Sequence, residues 1–383
     1  MSKLKILHVN TQAGGVAYYR HLLPARALRK LGHEVTYFGG EYGFFRDIGE
    51  IGCGVENWLT RYGSKHDIVH MGYSNIIPHT LEMITLRNYA QKAVGIDQRL
   101  ITDIDDDLNN VPAYNIAYHA YGNDGEGKRI VKTQLKVSDG VSVTTPRLIH
   151  SLREYCREMT ILPNYVDLED WKDLPGKPKE DNDVRILFTG NLGRKGDIDQ
   201  IRDVITKIVN KYDGKEGRKY VKLIFMGCTP DWAAEWLNNK RDPKANRAFY
   251  IQPCQASLYP AILSYISPDI LISPLDPNEF NRSKSCIKAY DAGLVGATFI
   301  CTDWDTYDDV PGDASLKCWS ETQWEESLEA AINDPSLRSK LNGRLREWVE
   351  SRDINSYIYK WEDFYASILA KPPITEEDLI GVR

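Results

Sequence analysis

Short apolar runs alternate with longer amphipathic stretches along most of the chain, a pattern that predicts an α/β protein with parallel sheets covered by helices. The first run, Lys5–Asn10, turns through Thr11-Gln12-Ala13-Gly14-Gly15 into a helical pattern over Val16–Leu31 that stops at Gly32, and Glu34–Phe38 then reads as a strand. Strand, glycine turn, helix and strand in that order make a βαβ unit. Asp67–Met71, Leu100–Ile104, Gly140–Thr144 and Met159–Leu162 have the apolar character of further buried strands. A second alternation starts at Val184–Gly190. It predicts helices over Asp197–Tyr212, Pro230–Asn239, Leu258–Ile266 and Lys284–Gly293, and strands over Val221–Met226, Phe249–Gln252, Ile270–Pro274 and Thr298–Thr302.

Between the two halves, Leu174–Asp183 is rich in proline, glycine and charge, the composition of an exposed linker. The expected division is an N-terminal domain over 1–175, a C-terminal domain over 184–352 and a C-terminal helix within 353–383. Helical patterns over Thr322–Asn333, Ser336–Ser351 and Asn355–Ala370 close the chain. In the last of these, Tyr357, Trp361, Phe364 and Ile368 share one face, a packing stripe that predicts a helix crossing the domain junction to pack back on the first domain.

At 383 residues the chain exceeds what one hydrophobic core usually organises. Its longest apolar runs fall well short of the roughly 20 residues a membrane span needs. Met1–Lys5 leads straight into the first strand without the apolar core of a signal peptide, so a cytoplasmic protein with no integral membrane association is expected. Seven scattered cysteines, none in a C-x-x-C arrangement, suggest neither a disulfide framework nor a zinc site. The net charge of −6 gives no global attraction to nucleic acid, so contact with DNA would rest on a local groove.

The chemistry concentrates in four segments. In Phe280–Gly293, Arg282, Lys284 and Lys288 surround the expected helix start, where free N–H groups and the helix dipole attract phosphate oxygens, and Asp291 follows as a partner for ribose hydroxyls. The plainer reading is a solvated basic helix start. Gly14 and Gly15 would let the first loop's backbone approach a ligand closely, or simply form a turn. Thr102–Leu108 sets Asp103, Asp105 and Asp107 at alternate positions after a strand. These fit a divalent cation, a capping and turn cluster, or a pair whose repulsion raises one pKa for general-base work. Pro112–Arg129 mixes aromatics, glycines and cations. Aromatic faces stack on sugars and on extruded bases, which makes Tyr114, Tyr118 and His119 candidate acceptor contacts; an amphipathic packing element is the alternative.

Taken in order over about residues 5 to 310, several stretches resemble retaining glycosyltransferases of the glycosyltransferase-B fold, of the glycogen-synthase-like family 4 type. They are Gly14-Gly15-Val16 with Leu31-Gly32-His33-Glu34-Val35, Ser138–Thr145 with Leu162–Asp167, Gly190–Asp197, and Lys284–Gly293. The resemblance implies two tandem Rossmann-like domains that move a sugar, with retention, from a nucleotide-diphosphate sugar to a hydroxyl acceptor. A UDP-sugar is the expected donor. The acceptor is a glycan or, because viral relatives act on it, hydroxymethylated pyrimidine in DNA. Arg194 and Lys195, with Arg282, Lys284, Ser285 and Gly15, would hold the diphosphate, and Lys288 and Asp291 the nucleoside. Asp103 and Asp105 would approach the transferred sugar. No metal is implied, since the cations themselves neutralise the diphosphate.

One position departs from the family pattern. Many relatives carry two glutamates eight positions apart; here the later position is Asp291 and the earlier one is Ser283. An N-x-x-K-S-x-x-K subgroup, matched by Asn281, Lys284, Ser285 and Lys288, is a closer likeness. The competing expectations are a sugar-nucleotide epimerase of related architecture and a nucleotide-binding protein whose transferase site has decayed.

Overall fold

A computed structural model describes residues 2–12, 14–39, 64–75, 77–123, 125–174, 183–214, 219–237, 247–375 and 378. Two six-stranded sheets are present, and every strand pair in them is parallel. The first contains β1 (Lys5–Val9), β2 (Glu34–Phe38), β3 (Ile68–Gly72), β4 (Arg99–Ile104), β5 (Gly140–Val143) and β6 (Met159–Ile161), in the order β2-β1-β3-β4-β5-β6. The second contains β7 (Val184–Thr189), β8 (Val221–Met226), β9 (Ala248–Ile251), β10 (Ile270–Ser273), β11 (Thr298–Thr302) and β12 (Ser315–Cys318), in the order β12-β11-β10-β7-β8-β9. This is a doubly wound order whose direction reverses between β7 and β10. Ligands of such sheets bind beyond the carboxyl ends of the strands at that reversal.

The central strands are mostly apolar because helices cover both faces. β3, β4 and β7 are buried along their whole length. The expected strands are present within a residue or two of their predicted limits. Most of the linker, residues 175–182, lies outside the described residues, as does the end of the helix expected over Pro230–Asn239. The short edge strand β12 was not foreseen, since Ser-Leu-Lys-Cys has neither the length nor the apolar run of a buried strand.

Helix boundaries follow local capping. Ser320 and Gln323 form a capping box at the start of Glu321–Asn333. Asp334 caps Pro335–Glu350, which has proline at its first position. The helix expected over Lys284–Gly293 begins at Ile287 and is preceded by a short helix, Glu279–Arg282, so Lys284 and Ser285 sit in the turn between the two. Gly293 serves packing: a Cβ there would lie 2.6 Å from Val349 Cγ2 on the Pro335–Glu350 helix.

The chain returns to the first domain at Val166, which pairs with Asp353, and the final helix Tyr359–Leu369 buries Trp361, Phe364, Tyr365 and Ile368 against the first sheet. Tyr357, on the preceding turn, stacks on Tyr165 with ring centroids 4.6 Å apart. Gly140 of β5 lets the last helix approach, because a Cβ would meet Ile368 Cδ1 at 2.6 Å. Among the described residues no helix is long and apolar enough to cross a membrane. Cys156, Cys228, Cys254, Cys286, Cys301 and Cys318 are free thiols.

The core of the first domain is unusually polar. Arg20, 1% exposed, makes a two-pronged pair with Asp103 (Nε to Oδ2 2.9 Å, Nη2 to Oδ1 2.7 Å) and donates to the Leu162 carbonyl and Asn164 Oδ1. His8, His21 and His70 cluster beside this pair with ring centroids 5.0 to 5.9 Å apart. Tyr365 of the last helix hydrogen-bonds both His70 and His8. Burial lowers the pKa of all three histidines, His21 to about 3.

Two outcomes follow from this core. Arg20→Met leaves Asp103 a buried, unpaired carboxylate and is expected to cost about 3–5 kcal/mol in urea unfolding, with much of the loss recovered in Arg20→Met/Asp103→Leu. A histidine kept neutral by the fold takes up its proton more readily when unfolded, so stability is lost as pH falls below the ordinary imidazole value of about 6.5. His21 alone contributes a loss of about 2 kcal/mol by pH 5. Thermal unfolding of His21→Leu should therefore show a shallower decline than wild type between pH 6.5 and 5.

Candidate active site

The carboxyl ends of both sheets face each other across a cleft of about 660 Å³. The first domain contributes the loops after β1, β3 and β4, including Gln12, Gly15, Tyr73, Ser74, Asp105 and Asp106. The second contributes the loops after β7, β8, β9 and β10, including Arg194, Gly227, Tyr259, Lys284, Ser285 and Asp291. Gly14 has φ +72°, a left-handed conformation, and its carbonyl accepts from Tyr18 N–H at 3.1 Å. The neighbouring Gly15 leaves its surroundings open: a Cβ there would meet nothing closer than Tyr19 at 4.0 Å. The helical segment after this loop opens with a π-helical stretch, Ala17–Leu22, which carries Arg20 into the core. Gly227, φ +93°, is obligatory, since a Cβ would lie 2.3 Å from the Gly190 carbonyl oxygen where the loops after β7 and β8 touch.

On the second domain's side, the start of the Ile287–Val295 helix points into the cleft with Ser285, Ile287 and Lys288 at the wall. The first N–H groups of a helix have no partner inside it, so this end offers donors to an anion. Asp291 is fully buried. Its Oδ2 accepts from Tyr259 Oη at 2.8 Å and from Lys288 Nζ at 2.9 Å, while Oδ1 is buried without a hydrogen-bond partner. Lys284 lies across the cleft mouth, 3.2 Å from Asp106 of the opposite domain. Arg194 lines the cleft at the end of β7 and is paired with Asp197 at 2.7 Å.

Two expected donor contacts separate from these. Lys195 is drawn to Asp231 at 2.8 Å and does not line the cleft. Arg282 pairs with Glu279 and lies 4.1 Å over the Trp304 ring, also outside the cleft wall. Ser283, at the departing position, is buried, donates to the Glu279 carbonyl and reaches Asp107 at 3.4 Å.

The two catalytic candidates part company. Asp103 is the penultimate residue of β4 and does not reach the cleft. Arg20 and Ser142 donate to it, and although burial opposes its charge, the Arg20 guanidinium with its hydrogen bonds and the nearby His70 imidazole, 3.8 Å away, hold it well below the usual carboxylate range. Its place is structural. Asp105, just beyond the strand, lines the cleft with Oδ1 unpartnered. Burial first, then the negative charges of Asp106 and Asp103, push its pKa up to about 8, against the opposing pull of Arg20 and Lys284.

The aromatic segment reaches the cleft through other residues than expected. Tyr114 packs on Gly196 and accepts from Asn278, bridging the domains; Tyr118 bonds Asn123; neither they nor His119 line the cleft. Asn115, Ile116, Ala117 and Tyr121 do. Sequence reasoning also missed Tyr259, which pairs with Asp291 from the start of the Tyr259–Ile266 helix, and Asn164, which joins Arg20 to Ser285 Oγ at 2.8 Å. Tyr259 has no local motif, and Asn164, although it lies in the Leu162–Asp167 stretch, carries no local sign of these contacts. Among the described residues no group of three or more His, Cys, Asp or Glu side chains is placed to hold a metal ion.

No protein-family model and no curated protein sequence matches the chain. Solved structures do match over nearly its full length. Sucrose-phosphate synthase from Thermosynechococcus elongatus superposes with a TM-score of 0.62 at 13% identity, covering 96% of this chain and 100% of that one. The catalytic domain of starch synthase IV from Arabidopsis thaliana, bound to ADP and acarbose, gives 0.63 at 13% identity, covering 97% and 100%. HepE from Anabaena, in complex with UDP and glucose, gives 0.61 at 11% identity, covering 95% and 100%. Two doubly wound parallel sheets facing across a cleft, closed by a helix that returns to the first, give this chain the glycosyltransferase-B fold.

Proposed function

We propose that the protein is a glycosyltransferase that moves a sugar from a nucleotide-diphosphate sugar, a UDP-sugar by preference, to a hydroxyl acceptor. The observation that carries this reading is the crevice at the β7/β10 reversal. A helix N-terminus, Arg194, Lys284 and Lys288 converge there beside a buried carboxylate with one free oxygen. Glycosyl transfer leaves a diphosphate whose growing charge fixed cations and N–H dipoles stabilise without solvent reorganisation. Asp291 Oδ1 is an acceptor for ribose hydroxyls. The ligands of the starch synthase IV and HepE structures, ADP with acarbose and UDP with glucose, have the chemistry this crevice fits. The reading is of a metal-independent transfer, with the chain's own cations as the countercharge. Retention is carried over from the family resemblance.

The acceptor enters from the first domain's side, past Tyr73, Asn75, Ile116 and Tyr121. Its class is a glycan or a hydroxymethylated pyrimidine in DNA. Asp105, which lines the cleft with a free carboxylate oxygen, is our candidate to take the acceptor hydroxyl's proton.

Mass spectrometry of the protein with UDP-, GDP- and dTDP-sugars and either acceptor class is expected to show a sugar-sized mass gain on one acceptor that persists in EDTA. No gain on any acceptor, or a donor converted to its epimer without one, would overturn the reading. Lys284→Ala is expected to lose about 1.5–3 kcal/mol of UDP affinity by calorimetry, the range of a charge-assisted hydrogen bond. A base whose pKa is raised to about 8 is active only when ionised. The kcat/KM should therefore climb with pH and level off above about 8, and Asp105→Asn should abolish the climb.

A further inference from the structure

The three cations of the donor crevice are each neutralised by a carboxylate, but not in the same way. Arg194 with Asp197 and Lys288 with Asp291 are pairs three residues apart in sequence, closed within one segment of the second domain. Lys284 has its partner on the other side of the cleft, in the loop after β4: its Nζ lies 3.2 Å from Asp106 Oδ1, and the two side chains are 21% and 32% exposed. Both residues line the cleft, and the ammonium also sits 4.1 Å over the Phe280 ring.

We propose that Asp106 is a donor-displaced counterion: it holds Lys284 while the cleft is empty, yields it to the nucleotide diphosphate, and is released beside Asp105 as the donor binds. The inference rests on the reading of Lys284 as a diphosphate ligand. A partly exposed pair with one polar contact is weakly held. A diphosphate brings more charge and more acceptor oxygens to the same ammonium. The exchange need not part the domains, because the adjacent residues remain pinned. Asp107 accepts from Ser151 and Asn110 and meets Ser283, and Thr145 donates to the Ser283 carbonyl at 2.9 Å. One side chain moves, and a carboxylate without its cation is left on the acceptor side only once the donor is in place. Asp106 thus acts through Lys284 and is a positioning residue of the donor site.

Calorimetric titration of the full chain with UDP at low salt tests this with Asp106→Asn, Lys284→Met and the double variant, each checked for wild-type thermal unfolding. Asp106→Asn is expected to bind UDP roughly three- to fivefold more tightly than wild type, because the competing carboxylate is gone. In the Lys284→Met background the same change should alter affinity by less than about twofold, since the effect runs through the lysine. Unchanged or weaker binding by Asp106→Asn, with Lys284→Met weakened, would overturn the counterion and leave the diphosphate site standing. Equal tightening in both backgrounds would also overturn it, by showing direct repulsion of the diphosphate. Wild-type affinity in Lys284→Met would remove the diphosphate reading and the counterion together.

Discussion

The buried pair between Arg20 and Asp103 is the constraint on which the cleft depends. Taking two charges out of water is expensive, and such a pair is tolerated only where geometry is good and the remaining donors are satisfied. Here the guanidinium meets both carboxylate oxygens, the Leu162 carbonyl and Asn164, and Ser142 donates to the carboxylate from the neighbouring strand. The network joins the helical segment after the glycine loop to the ends of β4 and β6. It also passes through Asn164 to Ser285 Oγ and, by the Asn164 carbonyl, to Tyr290 on the cleft helix of the second domain. Loop and helix start are thus set by one chain of hydrogen bonds.

Around that frame the cleft is nearly self-neutral. Its cations face Asp106, Asp197 and Asp291. A binding site for a polyanion can therefore sit in a protein of net charge −6 without a large basic field. Where relatives of the resembled family carry a glutamate, Ser283 is buried, and the nearby carboxylates come instead from the β4 loop of the other domain. On the proposed function, selectivity for a donor would depend on how the two domains meet as well as on the helix.

Much of the fold was legible because parallel strands buried on both faces leave continuous apolar runs, and because glycine and capping residues mark where helices begin and end. Lys284, Ser285, Lys288 and Asp291 were legible for a related reason: a helix start is a local feature, and its residues stay together wherever the helix goes. Asp103 and Asp105 show the limit. They are two residues apart, yet one lies inside β4 and the other past its end, and that boundary decides which is a core ion and which faces the cleft. Lys195 and Arg282 show another, since side chains on the right loop turned to Asp231, Glu279 and Trp304. Tyr259 and the histidine cluster depend on contacts between distant segments, which carry no periodicity or motif, and the bonds of Asn164 to Arg20 and Ser285 are equally long-range although its stretch was singled out.

The most direct test of the account is amide hydrogen exchange with and without saturating UDP. A diphosphate bound at the β7/β10 reversal should slow exchange in peptides covering Ser283–Asp291 and Gly190–Lys195, the segments that bring Lys284, Ser285, Lys288 and Arg194 to the cleft wall. Slowed exchange confined to segments away from the cleft, or no change at a UDP concentration that produces binding heat, would contradict it.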